Sequence, residues 1–172
     1  MLLQKLHHVA YRCADAGKTV AFYTNVLGLR FAHALTAEEV PSLKQHNPHI
    51  HVFFEMEDGS NIAFFEVPLA PPAKPDPNTP VWVQHLALEV KDEAALAEGK
   101  RRLDDAGVSV IGPIDHGFCK SIYFFDPSGH RLEMTARTEA PGAGEEFEAH
   151  AMDVLKGWQA RGLKYEAPKA AE

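Results

Sequence analysis

Apolar and polar residues alternate with a period of two in two stretches, LHHVAYRC at residues 6–13 and QHLALEV at 84–90. Each predicts a half-buried strand, and each strand begins with a histidine. Behind both comes a helical pattern. Asp15 is placed to cap a helix running to Leu27, with Val20, Phe22, Tyr23, Val26 and Leu27 on its apolar face and Gly28 as its stop. Asp92 is placed to cap a second, with Ala95, Leu96, Leu103 and Ala106 on one side and Gly107 at its end. A short strand is expected after each glycine, at 29–32 and at 108–111. Two further strands follow in each half: 51–56 and 62–67 around Asp58-Gly59, then 121–125 and 130–135 around Asp126-Pro-Ser-Gly129. The same βαβββ unit is therefore written twice.

Between the copies lies PLAPPAKPDPNTP, residues 68–80, in which proline restricts φ and withdraws backbone donors, so an extended connector is expected. The boundaries read as a first module at 1–67, the connector at 68–80, a second module at 81–137, and a linker, amphipathic helix and tail at 138–172. The largest insertion, Thr36 to Asn47, has Thr36 and Glu39 at capping-box spacing, which predicts a short helix or lid, with a plain surface loop as the alternative. Phe147, Ala151, Val154, Leu155 and Trp158 share one face of a helix over 145–159, expected to pack on the chain's own sheet or a sister subunit. A loose tail is expected from Gly162 onward.

Alternation also assigns faces. If Leu86, Leu88 and Val90 meet the helix, then His85, Ala87 and Glu89 face away from it, and His8 takes the same place in the first copy. In the last strand Leu132 and Met134 take the helix side, leaving Arg131, Glu133 and Thr135 on the other. His8, His85 and Glu133 thus occupy inward positions on three strands, two imidazoles and one carboxylate able to meet as a facial triad around a divalent metal.

Composition narrows the partners. The chain of 172 residues has 17 basic and 24 acidic side chains, a formal net charge of −7, which disfavours nucleic acid. No stretch is long and apolar enough for a membrane span, and the N-terminal residues do not read as a secretion signal. Cys13 and Cys119 lack metal-site spacing, so a reducing cytoplasm is the expected location. Arg12 and Arg131 are isolated, with no arginine cluster to clamp a phosphonate or a CoA.

HHVAYR, AFYTNVLGLRF, QHLALEV and especially SIYFFDPSGHRLEM resemble the vicinal oxygen chelate superfamily, which includes glyoxalase I, bleomycin-resistance proteins, epimerases and type I extradiol dioxygenases. The resemblance covers roughly residues 5–137. It implies an α+β fold of two paired βαβββ modules forming a cupped mixed β-sheet with flanking helices. His8 matches the first-strand metal ligand, His85 its counterpart and Glu133 the last-strand carboxylate. Glyoxalase-type isomerases carry a second glutamate, and Ala63 stands at that position here; Glu66 lies in the opposite strand phase.

The resemblance therefore implies a dioxygenase site with Fe(II) or Mn(II), Zn(II) or Ni(II) being the other options. Its substrate is expected to be a small, vicinally oxygenated, aromatic molecule. Tyr123 matches a tyrosine that assists a metal-bound catecholate. The usual acid-base histidine is replaced by Ser60 or Asn61, leaving His116 or His51 to move a proton. Phe53, Phe65, Phe118 and Phe125 are expected to line the cup. A glyoxalase-like lyase, isomerase or epimerase is the first alternative, and a metal-free ligand-sequestering protein the second. A homodimer is expected, with modules paired within one chain or between two.

Overall fold

The computed structural model describes residues 2–40, 42–74 and 76–164. Two four-stranded mixed sheets are formed. The first uses β1 (His8–Cys13), β2 (Arg30–Val40), β3 (Gln45–Glu55) and β4 (Asn61–Glu66), in the order β1-β4-β3-β2. The second uses β5 (Leu86–Val90), β6 (Ile111–Asp115), β7 (Cys119–Phe125) and β8 (Arg131–Arg137), in the order β5-β8-β7-β6. In each, the first strand runs parallel to the last and the other pairs are antiparallel. The expected α+β arrangement of two βαβββ modules is what the chain forms.

Both helices begin at their aspartates. Asp15 accepts from Lys18 N at 2.9 Å ahead of α1 (Ala16–Ala21), which continues as a π-helical turn over Phe22–Val26. Asp92 accepts from Ala95 N at 2.9 Å ahead of α2 (Glu93–Asp105). Gly28 and Gly107 follow at φ of 78° and 73°, left-handed conformations that favour glycine and turn the chain out of each helix.

The described residues of 36–47 form neither the expected short helix nor a plain loop: β2 runs on to Val40 and β3 starts at Gln45. Leu35 pairs with His51, Thr36 with Ile50 and Ala37 with His49, so ladder bonds satisfy backbone groups that a helix would otherwise have satisfied. The second strand of the second module begins later than expected, at Ile111. The described residues of 68–80 contain no helix or strand, and Arg12 pins part of this connector by donating to the carbonyls of Val67, Ala70 and Pro71.

Residues 1–137 form one compact unit and 138–172 another. The second contains α3 (Ala143–Ala160), none of whose residues is buried; most of the expected tail, 165–172, lies outside the described residues. Within the first unit the helix-side faces of the two sheets share a core. Phe22, Tyr23, Phe54, Ile62 and Phe64 belong to the same buried cluster as Leu103, Ile122, Phe124, Leu132 and Met134.

Polar bonds tie the modules at the edge of that core. The Tyr23 hydroxyl donates to Asp126 Oδ2 at 3.2 Å, Ala14 N donates to Ser128 Oγ at 3.1 Å, and the His130 ring donates from Nε2 to the Arg12 carbonyl at 2.6 Å. Asp126 is buried, and its other oxygen accepts from the backbone of Ser128 and His130. Removing the tyrosine hydroxyl leaves this buried carboxylate short of a donor, which costs about 2 kcal/mol. Tyr23→Phe is therefore expected to lower the urea midpoint with an unchanged slope. An unchanged midpoint would show that the bond does not tie the modules.

Candidate functional site

The two modules repeat one lattice of positions. Across the first sheet Ala10 pairs with Ala63 and Ala63 with Phe53; across the second Ala87 pairs with Glu133 and Glu133 with Tyr123. One step before Ala10 and Ala87 on the same face stand His8 and His85. Ala63 thus occupies the place that Glu133 holds in the other module, and it is fully buried.

In the second module the cup-side groups are in contact. His85 Nε2 lies 3.0 Å from Glu133 Oε2, and the carboxylate is buried while the imidazole is partly exposed. His85 Nδ1 donates to the Val83 carbonyl at 3.2 Å, which leaves Nε2 as the nitrogen facing Glu133. Beside this pair the Tyr123 hydroxyl and His116 Nε2 share a hydrogen bond of 2.8 Å. Burial holds the Tyr123 phenol above its ordinary pKa, and the neighbouring Glu133 adds to the effect.

The first module contributes a different set. His8 is exposed and shares a 2.8 Å hydrogen bond with His7 through their Nδ1 atoms, so its Nε2 remains available. Its ring lies 6.2 Å from His51 and 5.7 Å from Phe53. His51 is buried, stacked on Phe65 at 3.6 Å, and its Nε2 has no hydrogen-bond partner among the described residues.

The structure therefore brings His85 and Glu133 together, with Tyr123 and His116 alongside, and does not bring His8 to them. Among the described residues no three His, Cys, Asp or Glu side chains converge to hold one ion. Three other questions from the sequence are decided locally. Glu66 accepts from Ala16 N at 2.6 Å and so caps α1. Ser60 is buried and donates to Asp58 Oδ1 at 2.6 Å, and Asn61 donates to the Gly59 carbonyl, so both serve the hairpin turn. A cavity of about 550 Å³ is bordered by Leu27, Leu29, Met56, Leu88, Val90 and Met134 on the helix side, away from these groups. Sequence reasoning left the unpartnered state of His51 unseen, because the strand pattern placed it equally well on a surface.

Comparison with known proteins agrees with the fold. The family model described as Glyoxalase/Bleomycin resistance protein/Dioxygenase superfamily matches residues 5–134. The chain belongs to this superfamily. It is 29% identical over 147 residues to the protein named "Putative ring-cleaving dioxygenase MhqA" of Bacillus subtilis (strain 168), covering 84% of this chain and 44% of MhqA. It is 27% identical over 143 residues to the 2-epi-5-epi-valiolone epimerase of an Actinomyces species, covering 75% and 77% of the two chains. The chain thus spans less than half of MhqA and about three-quarters of the epimerase. A glyoxalase/dioxygenase structure from Nostoc punctiforme superposes with a TM-score of 0.59 at 26% identity, covering 80% of this chain and 94% of that one. No helix of the described residues is long and apolar enough to cross a membrane.

Burial, followed by the nearby His8, His49 and His33, pushes the pKa of His51 down to about 4. The unfolded chain then takes up this proton first as pH falls, so the contribution is complete above about pH 6.5 and is lost toward pH 4. Between metal-free wild type and His51→Phe, the stability difference should move by about 2 kcal/mol in favour of the variant from pH 7 to pH 5. Parallel stability curves over that interval would contradict the depressed pKa.

Proposed function

We propose that this chain is a divalent-metal-dependent enzyme, and that its site closes between two copies, His8 from one and His85 with Glu133 from the other. The contact between His85 and Glu133 carries this reading. With His85 Nδ1 donating to Val83, Nε2 and a carboxylate oxygen of Glu133 face each other at 3.0 Å, a contact that either a proton on the ring or a cation between the two would satisfy. Two ligands about 2.1 Å from one ion and at right angles to each other are about 3.0 Å apart. The pair fits a metal, and the free Nε2 of His8 fits the third ligand.

The need for two copies is supported by the packing. β1 and β5 are both edge strands, and His8, Ala10, His85 and Ala87 are all exposed. Inside one chain the ligand-bearing faces lie opposite the shared core.

The reaction we favour is dioxygenation of a small, vicinally oxygenated, aromatic molecule. Fe(II) or Mn(II) suits two imidazoles and one carboxylate. A bound ion would supply the Lewis acidity that lowers the pKa of a chelated hydroxyl and would leave positions open for exogenous ligands. The chain's own groups do the rest. Val83 orients the His85 ring, and Tyr123 and His116 hold a proton between them beside Glu133 and can pass it to or from a substrate oxygen. Phe53, Phe65 and Phe118 offer apolar walls for a flat ring. Ala63 at the repeat-related position, with Glu66 committed to capping α1, favours this reading over a glyoxalase-like isomerase, which would use a second glutamate. The similarity to the dioxygenase-named relative points the same way.

Anaerobic loading with Fe(II), followed by a panel of catechols at an oxygen electrode, tests both parts. One ion per chain and oxygen uptake with at least one catechol are expected, and His8→Ala and Glu133→Ala should each reduce bound metal at least tenfold. Stoichiometric metal in both variants would refute the ligand assignment. Turnover of a hemithioacetal without oxygen uptake would favour the isomerase.

A further inference from the structure

We propose that Arg131 recognises an anionic substituent of the substrate, so that the cup selects ligands bearing a carboxylate or another oxyanion beyond the chelating oxygens. This inference rests on the metal reading of the cup given above and deepens it.

Arg131 stands two residues before Glu133 on the same face of β8. Its register partner on β7 is Phe125, and on the parallel β5 the ladder that pairs Leu86 with Leu132 sets His85 beside it. Its guanidinium carbon lies 4.6 Å from the centroid of the Tyr123 ring, which confirms that the side chain lies over the cup face. The site thus holds a permanent cation next to two groups assigned to the metal.

The other arginines of the compact unit spend their charge elsewhere. Arg12 donates to three carbonyls, Arg30 pairs with Glu55, Arg101 and Arg102 with Glu98, and Arg137 with Glu89. Arg131 has no carboxylate or carbonyl partner among the described residues, and its Nε is buried and without a hydrogen bond. Buried donors of this kind are normally satisfied, so the missing acceptor is expected to arrive with a ligand. The planar fork suits an oxyanion, and its cation–π contact with Tyr123 holds the fork over the cup.

Charge balance gives the same answer. Two neutral imidazoles, one carboxylate and a divalent ion leave one excess positive charge, and Arg131 raises it to two. A ligand carrying a further negative charge neutralises what a simple diol leaves uncompensated.

The test has two arms, comparing wild type with Arg131→Met and Arg131→Lys, each checked for folding by circular dichroism. In metal-free protein, benzoate is titrated by NMR. In Mn(II)-loaded protein, catechol and 3,4-dihydroxybenzoate are compared by calorimetry. Benzoate binding about tenfold weaker in Arg131→Met is expected, as is a wild-type preference of about tenfold for the carboxylated catechol that the same variant loses. Arg131→Lys should keep part of that preference. Equal benzoate binding by wild type and Arg131→Met, or metal-loaded wild type showing no preference for the carboxylate, would overturn the proposal. If the protein took up no metal yet bound benzoate through Arg131, the anion site would stand and the metal reading would fail.

Discussion

The fold turns on which face of each sheet is given to the common core. Period-two alternation separates Leu132 and Met134 from Glu133, and Ile62 and Phe64 from Ala63, so only one set on each strand can join the apolar interior. Tyr23, Phe54, Phe64, Ile122, Phe124 and Leu132 from the two modules join it together. Each is nearly or wholly excluded from solvent, and a side chain of this kind contributes roughly 1.5–3 kcal/mol on burial. Once that face is committed, the histidines and Glu133 must face outward. The bond from Tyr23 to Asp126 then helps to hold the modules in this relation.

Duplication supplies one lattice and divergence fills it with two kinds of chemistry. Phe53, Ala63, His51 and Phe65 in the first module occupy the positions of Tyr123, Glu133, Ser121 and Thr135 in the second. In the second module the hydroxyls satisfy one another, Ser121 donating to Thr135 at 3.0 Å, and the carboxylate meets an imidazole. The first module offers aromatic walls, an accessible histidine and a buried imidazole without a partner. Neither half is a complete site by itself. Joined across two copies, they would give a cup with an apolar wall on one side and charge on the other.

Much of this was legible in the residues. The alternations around His8 and His85, the caps at Asp15 and Asp92, and the glycine stops are local signals, and the structure follows them. The repeat makes the equivalence of Ala63 and Glu133 readable in the residues themselves. What escaped was whatever depends on distant partners. Thr36 and Glu39 have the spacing of a capping box, yet the strand ending at Glu55 offered ladder pairing as far as Gln45, and pairing won. Strand phase set Glu66 apart from the ligand position but did not reveal its actual role, because the amide it caps lies fifty residues earlier in the chain. The separation of His8 from His85 and Glu133 was illegible for a deeper reason: two modules can share a core in more than one way while satisfying the same alternation.

Complementation between defective chains tests directly whether one site takes ligands from two chains. His8→Ala and Glu133→Ala proteins, each depleted of bound metal, are mixed, unfolded and refolded together, and metal content is measured. In a mixed dimer one site collects both substitutions and the other collects neither, so a random mixture should recover about a quarter of wild-type metal. If instead the mixture binds no more metal than the two variants do separately, the ligands do not come from two chains.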